Sequence, residues 1–203
     1  MSENQCSRLP TRAALVIAAS CGSVCAQRRW ERLPAPRDPQ FYVPRNQLED
    51  FDGRMETILI KGRSWVGTVR AQNGSARVEA TEIRDAATSK RAAGVVITIM
   101  ADAGPPSEIR ALIDYEEIDA LVKAIDTAGK ASEAVTKLTH FEVRYRTRGD
   151  FEVMVFKQLS DNAIAAAIEG GFFDRARLYL TLDELIRLRW MLVQAKERLD
   201  ESK

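Results

Sequence analysis

At 203 residues and 45% apolar content, the chain can bury a core as one domain or as two small fused halves. Its 30 basic and 29 acidic residues nearly cancel, which excludes a global basic field that would draw the whole chain to nucleic acid. One histidine and three cysteines leave little material for metal or nucleophilic chemistry, and no glycine spacing of the phosphate-cradling kind occurs.

Residues 1–26 read as a secretory signal peptide. Arg8 and Arg12 form a modest positive region, Ala13 to Ala19 a short apolar run, and Val24-Cys25-Ala26 a cleavage site with small or aliphatic residues. The apolar run is too short to span a bilayer. Ala18-Ala19-Ser20-Cys21 offers a second cut, similar to a bacterial lipobox, that would make Cys21 a lipid anchor. An uncut cytoplasmic chain is the remaining alternative. Cys6, Cys21 and Cys25 all precede the first cut, so the mature chain would hold no disulfide and no thiolate zinc site. Its net charge would be near zero.

Residues 27–54 follow as a linker. Pro34, Pro36, Pro39 and Pro44 lie among charged residues, and proline removes donors and restricts φ, so an extended stretch is expected through Asp50. Trp30, Phe41 and Tyr42 are apolar enough to cover a hydrophobic edge.

Residues 55–132 read as strands closed by a helix. Met55 to Lys61 alternates and ends at Gly62; Trp65 to Arg70 turns at Asn73-Gly74, a hairpin dipeptide. Arg77 to Arg84 alternates, with Ile83 marking a bulge. Ala93 to Ala101 is the most apolar strand and is expected at the sheet centre. Gly104-Pro105-Pro106 breaks it before Ser107 to Lys130, a strand running into an amphipathic helix.

Residues 133–203 repeat the scheme. His140 to Thr147 and Phe151 to Phe156 alternate around the turn Arg148-Gly149-Asp150. Asn162 to Ile168 favours helix by composition and strand by position. Asp174 to Leu199 is again a strand running into a helix. A shift of 67 positions lays Arg110 on Arg177, Asp114 on Thr181, Glu117 on Glu184, Ile118 on Leu185 and Leu121 on Leu188. Each copy predicts an N-cap, a capping box and an apolar stripe in the same register. Seven to nine strands with two long helices make the fold class α+β: two repeated units of antiparallel strands, each followed by one helix packed on the sheet.

That element order, across most of residues 55–200, resembles the whirly and Pur-type single-stranded nucleic-acid binding folds. YEEIDAL and FEVRYRTRGDFEV, behind a leader, look like an uncharacterised bacterial secreted-protein family. The second resemblance implies export with no assigned activity and carries over no functional residue.

Arg144, Arg146 and Arg148, with Lys157, form a basic ladder on one face of a hairpin, with Tyr145 on the other. This is the candidate anion or nucleic-acid face, with aromatic stacking as the accompanying chemistry. Pairing with Glu142 and Glu152 across the strands is the simpler reading. His140 is the only base for a hydrolase and has no nucleophile signature beside it. Glu116, Glu117, Asp119, Asp183 and Glu184 sit where helix starts favour acids. Arg148-Gly149-Asp150 spells an adhesion tripeptide but fits a turn, and Asn73-Gly74-Ser75 matches a glycosylation sequon. Trp190 and Met191 offer the last helix a second apolar face, which suits a homo-oligomer through that helix or the sheet. No cofactor is expected and the partner is unknown. An exported, non-enzymatic envelope protein acting by binding or assembly fits these features; a single-stranded nucleic-acid binder and a cryptic hydrolase are the alternatives.

Intact mass of the protein from fractionated cells checks the leader. The expected chain starts at Gln27 outside the cytoplasm; a lipid adduct on Cys21 selects the anchor, and an uncut cytosolic chain removes both.

Overall fold

The computed structural model describes residues 43–102, 108–131, 136, 139–159, 162–172 and 174–203. A short helix, α1 (Gln47–Asp52), comes first. Strands β1 (Leu59–Ala71), β2 (Gly74–Asp85), β3 (Arg91–Ala101) and β4 (Glu108–Asp114) form one antiparallel sheet in that order. A single 3-10 turn at Tyr115–Glu117 leads into α2 (Ile118–Gly129). Strands β5 (Glu142–Arg146), β6 (Glu152–Lys157), β7 (Ile164–Gly170) and β8 (Ala176–Leu180) form a second four-stranded antiparallel sheet, followed by α3 (Leu182–Glu201). The repeat is therefore real at the level of architecture: four strands, then a helix, twice.

One core serves both halves. Val78, Ile97 and Ile113 from the first sheet share one buried cluster with Val153, Ile168 and Leu178 from the second, Leu121 of α2, and Leu188 and Leu192 of α3. Burying each such side chain contributes about 1.5–3 kcal/mol. Helix α3 crosses to the other half: it packs mainly on β1, β2 and β3, while α2 lies against α3 and beside β5 and β6. Met191 of α3 lies over Gly67, where an added Cβ would come within 2.8 Å of its terminal methyl. Arg198 then donates to the Trp65 carbonyl and to the Ser64 hydroxyl.

The hairpin at Asn73-Gly74 also joins the sheets. The Gln72 amide donates to the Tyr179 carbonyl at 3.0 Å. Asn73 donates from Nδ2 to the Arg177 carbonyl at 2.9 Å and accepts from the Tyr179 amide at 2.9 Å. Its side chain thus imitates one strand residue along the edge of β8.

Four expectations change in detail. Residues 47–52 are not extended: with no proline after Pro44, Asn46 caps α1 by accepting from the Glu49 amide, and Leu48 with Phe51 gives it a buried face. Gly62 does not end a strand, and β1 runs through it; the register shift lies between Trp65 and Gly67, not at Ile83. Ile83 points to the outer face of the first sheet, where α1 covers it together with Ala92 and Leu112. Residues 164–170, ambiguous by composition, are strand because β6 and β8 pair with both edges.

The fourth change concerns the caps. Thr181 forms the expected capping box: it accepts from the Glu184 amide, and Glu184 accepts from the Thr181 amide at 2.7 Å. Asp114 makes no such bond to its own helix. Its two carboxylate oxygens accept from the Gln47 and Leu48 amides of α1, at 2.8 and 3.0 Å. Glu117 accepts instead from the Arg148 amide at 2.8 Å. The same residue types cap locally in one copy and clamp distant segments in the other.

Thr181→Ala is expected to lower stability by about 1 kcal/mol, and Leu188→Ala by roughly 2–5 kcal/mol. Urea unfolding of the two variants measures the ordering; equal losses would remove Leu188 from the core.

Candidate anion-binding face

The alternation that turns Val143 and Tyr145 toward the core turns Arg144 and Arg146 outward on β5. Strand register then sets one row across the second sheet: Arg146 opposite Glu152, Glu152 opposite Glu169, Glu169 opposite Arg177. Two glutamates directly opposed on neighbouring strands repel each other. Arginines surround them. Arg146 donates to Glu152 at 2.7 Å, Arg177 to Glu169 at 2.7 Å. Arg144 lies 3.1 Å from Glu152 and also donates to Glu142 at 2.9 Å. Arg175 spans both, 2.6 Å from Glu169 and 3.6 Å from Glu152.

Burial separates the two partners. The glutamate side chains are 2% and 8% exposed, and the four arginines 40–51%. The carboxylates form a floor, and the guanidinium groups reach from it to the surface. Glu142 and Glu152 raise the Arg144 pKa above its ordinary value, and Glu169 does the same for Arg177. The next row runs Arg144, Met154, Ala167 and Tyr179; Met154 and Ala167 are buried, and Tyr179 is substantially exposed. Such a surface holds planar, outward donors beside an aromatic ring. It suits carboxylate or phosphate groups.

The predicted ladder comes apart into three places. Arg144 and Arg146 belong to this face, paired with Glu142 and Glu152 as the simpler reading expected. Tyr145 lies on the core side, where burial first and the Glu117 charge second raise its pKa. Lys157 is half-buried at the end of β6 and alternates away from the arginine face. Arg148 sits at the turn, 3.3 Å from Glu117 and 3.7 Å from Asp114, whose charges raise its pKa. The rest of that tripeptide is equally occupied: an added Cβ on Gly149 would meet the Leu112 carbonyl at 2.0 Å, and Asp150 pairs with Arg45. The tripeptide is an internal latch. Sequence reading missed Arg175, Arg177, Glu169 and Tyr179. The alternation of Arg175, Arg177 and Tyr179 is the sequence signal that places them on one face.

Other candidates are less organised. His140 is exposed and borders an open recess of about 630 Å³ with Phe141, Glu142, Phe156, Lys157, Gln158 and Leu159, none of them a hydroxyl or thiol nucleophile. Among the described residues no three His, Cys, Asp or Glu side chains group to hold a metal ion, and no helix is long and apolar enough to cross a membrane. A groove of about 470 Å³ between α2 and α3 is lined by Ile125, Leu185, Ile186 and Trp190. Arg189 crosses it to Asp126 at 2.8 Å and holds that carboxyl below its usual pKa. Met191 turns inward onto Gly67, so the outer apolar face of α3 reduces to Ile186 and Trp190. Cys21 lies outside the described residues.

Comparison with protein-family models, curated proteins and solved structures finds no match to this chain.

The sharing of arginines predicts non-additive stability. Arg175→Ala or Arg177→Ala alone leaves Glu169 one partner and should cost at most about 1 kcal/mol, as for exposed pairs. The double variant leaves that buried carboxylate without a cation and should cost about 3–5 kcal/mol. A denaturant double-mutant cycle measures the coupling, and additive losses would refute the shared floor.

Proposed function

We propose that this chain is a non-enzymatic binding protein that takes an anionic ligand on the outer face of its second sheet. The observation that carries the reading is the arrangement of Arg144, Arg146, Arg175 and Arg177 over the buried carboxylates of Glu152 and Glu169. Anchoring at the base removes much of the ordering that four free arginines would undergo on binding, and the outward N–H groups remain for a ligand. The two floor carboxylates balance half of the cationic charge, so ligand geometry matters more than bulk attraction.

The address proposed for it is outside the bacterial cytoplasm, in the envelope or medium. The leader pattern of residues 1–26 and the confinement of all cysteines to it support this.

Single-stranded nucleic acid is the second reading, favoured by Tyr179 standing exposed beside Arg177 on the same face. A ring beside a guanidinium group offers a stacking platform for a base.

Titration of the full chain with a heparin oligosaccharide and with a labelled single-stranded oligonucleotide at low ionic strength tests both. Binding of heparin is expected, weakening as salt rises. The Arg144→Ala, Arg177→Ala double variant, in which each glutamate keeps another arginine, should bind several-fold more weakly. Oligonucleotide binding with quenched tyrosine emission and no heparin binding selects the second reading. No binding of either polyanion overturns the anionic site.

A further inference from the structure

Helices α2 and α3 lie antiparallel: Asp119 pairs with Lys196 and Asp126 with Arg189, so residue numbers rise along one helix as they fall along the other. Helix α2 ends at Gly129, whereas α3 runs back past that point to Leu182. The first turn of α3 therefore extends beyond the end of α2, and the groove of about 470 Å³ opens there. That volume falls within the range of small-molecule sites, about 300–1,000 Å³. Ile125 and Leu185 are buried and close its base. The accessible apolar surface comes from Ile186 and Trp190, 48% and 57% exposed, with half-buried Leu182 beside them. An added Cβ on Gly129 would meet nothing within 4 Å, so the groove is open at the end of α2.

Three charged side chains border the groove: Asp126, Lys130 and Arg189. Arg189 donates to both carboxylate oxygens of Asp126, at 2.8 and 3.0 Å, and its guanidinium lies 5.1 Å from the centre of the Trp190 ring. Acid and guanidinium thus satisfy each other. Lys130 is exposed, and its ammonium has no ion-pair or hydrogen-bond partner among the described residues. The groove keeps one positive charge in excess.

We infer that this groove binds a linear aliphatic carboxylate of medium chain length, with the hydrocarbon over Leu182, Ile186 and Trp190 and the carboxylate facing the Lys130 ammonium. An apolar strip bordered by one unneutralised cation complements an apolar chain with one anionic end. The arginine face of the second sheet has the opposite bias, four cations with buried apolar neighbours, so the two sites take different ligands.

Isothermal titration calorimetry of the full chain with decanoate, octanoate and decylamine, with tryptophan emission followed in parallel, tests the inference. Decanoate is expected to bind and to change the emission. Octanoate, two methylenes shorter, should bind roughly tenfold more weakly. Decylamine, equal in length and opposite in charge, should bind about fivefold more weakly than decanoate. Ile186 and Lys130 are both exposed, so substitution there leaves the core intact. Ile186→Ser should weaken decanoate several-fold, Lys130→Glu should reverse the order of decanoate and decylamine, and Trp190→Phe should remove the emission change. No binding of decanoate, equal affinity for decanoate and octanoate, or an unchanged order in Lys130→Glu overturns the inference, as does an emission change that survives Trp190→Phe. Loss of decanoate binding in the Arg144→Ala, Arg177→Ala protein places the carboxylate on the second sheet and likewise overturns it, while the anionic site there stands.

Discussion

The Asp114 carboxylate is 1% exposed and closes a polar knot among three segments distant in sequence. Its oxygens cap the first two amides of α1, where the helix dipole favours a negative charge. Asn46, at the head of the same helix, donates to the Leu112 carbonyl of β4 at 2.7 Å. Glu117 holds the β5–β6 turn through the Arg148 amide, and Gly149 lets that turn press against β4. One oxygen of Glu117 is buried and accepts no hydrogen bond among the described residues. Such an atom costs about 1–3 kcal/mol, an expense offset here by the Arg148 guanidinium 3.3 Å from its twin. The covered outer face of the first sheet and the position of the second sheet's first hairpin both depend on this knot.

Two identical topologies have thereby acquired different outer faces. On the first sheet, Asp114 recruits α1 and the face becomes a second, small apolar cluster around Leu48, Phe51 and Ile83. On the second, the equivalent Thr181 turns back to cap its own helix, and the face carries arginines over glutamates. A one-residue difference in chain order, acid against hydroxyl, separates a clamp between segments from a local cap. The crossing of α3 onto β1–β3 and the docking of Asn73 on β8 make the halves interdependent, so neither half has a complete core alone.

The arginine row illustrates how a paired lattice serves binding as well as folding. Opposed Glu152 and Glu169 would repel if left to themselves, and the flanking guanidinium groups convert that repulsion into a fixed base. Because the acids are buried and the bases are not, the lattice presents cations outward despite its internal pairing. Single-residue exposure and mutual register, not net charge, create that polarity of the surface.

Local pattern determined much of this protein. Period-two alternation located the hairpins of residues 142–157, the Asn73-Gly74 dipeptide located the β1–β2 turn, and the Thr181–Glu184 spacing located the last helix start, because each signal acts within a few residues. The shift of 67 positions exposed the repeat for the same reason. Tertiary structure alone decided the rest. Asp114 and Thr181 carry equally good cap signals, yet only one caps its own helix, since the choice depends on whether another segment's amides lie within reach. Ile83 takes the outer face by alternation along β2, and only the docking of α1 there buries it. Arg144 and Arg177 are 33 positions apart in sequence and meet around one carboxylate floor only because β6 and β7 lie between their strands. Alternation tells which side of its own strand a residue takes; strand order and register, which arise from packing both sheets on one core, tell what it meets there.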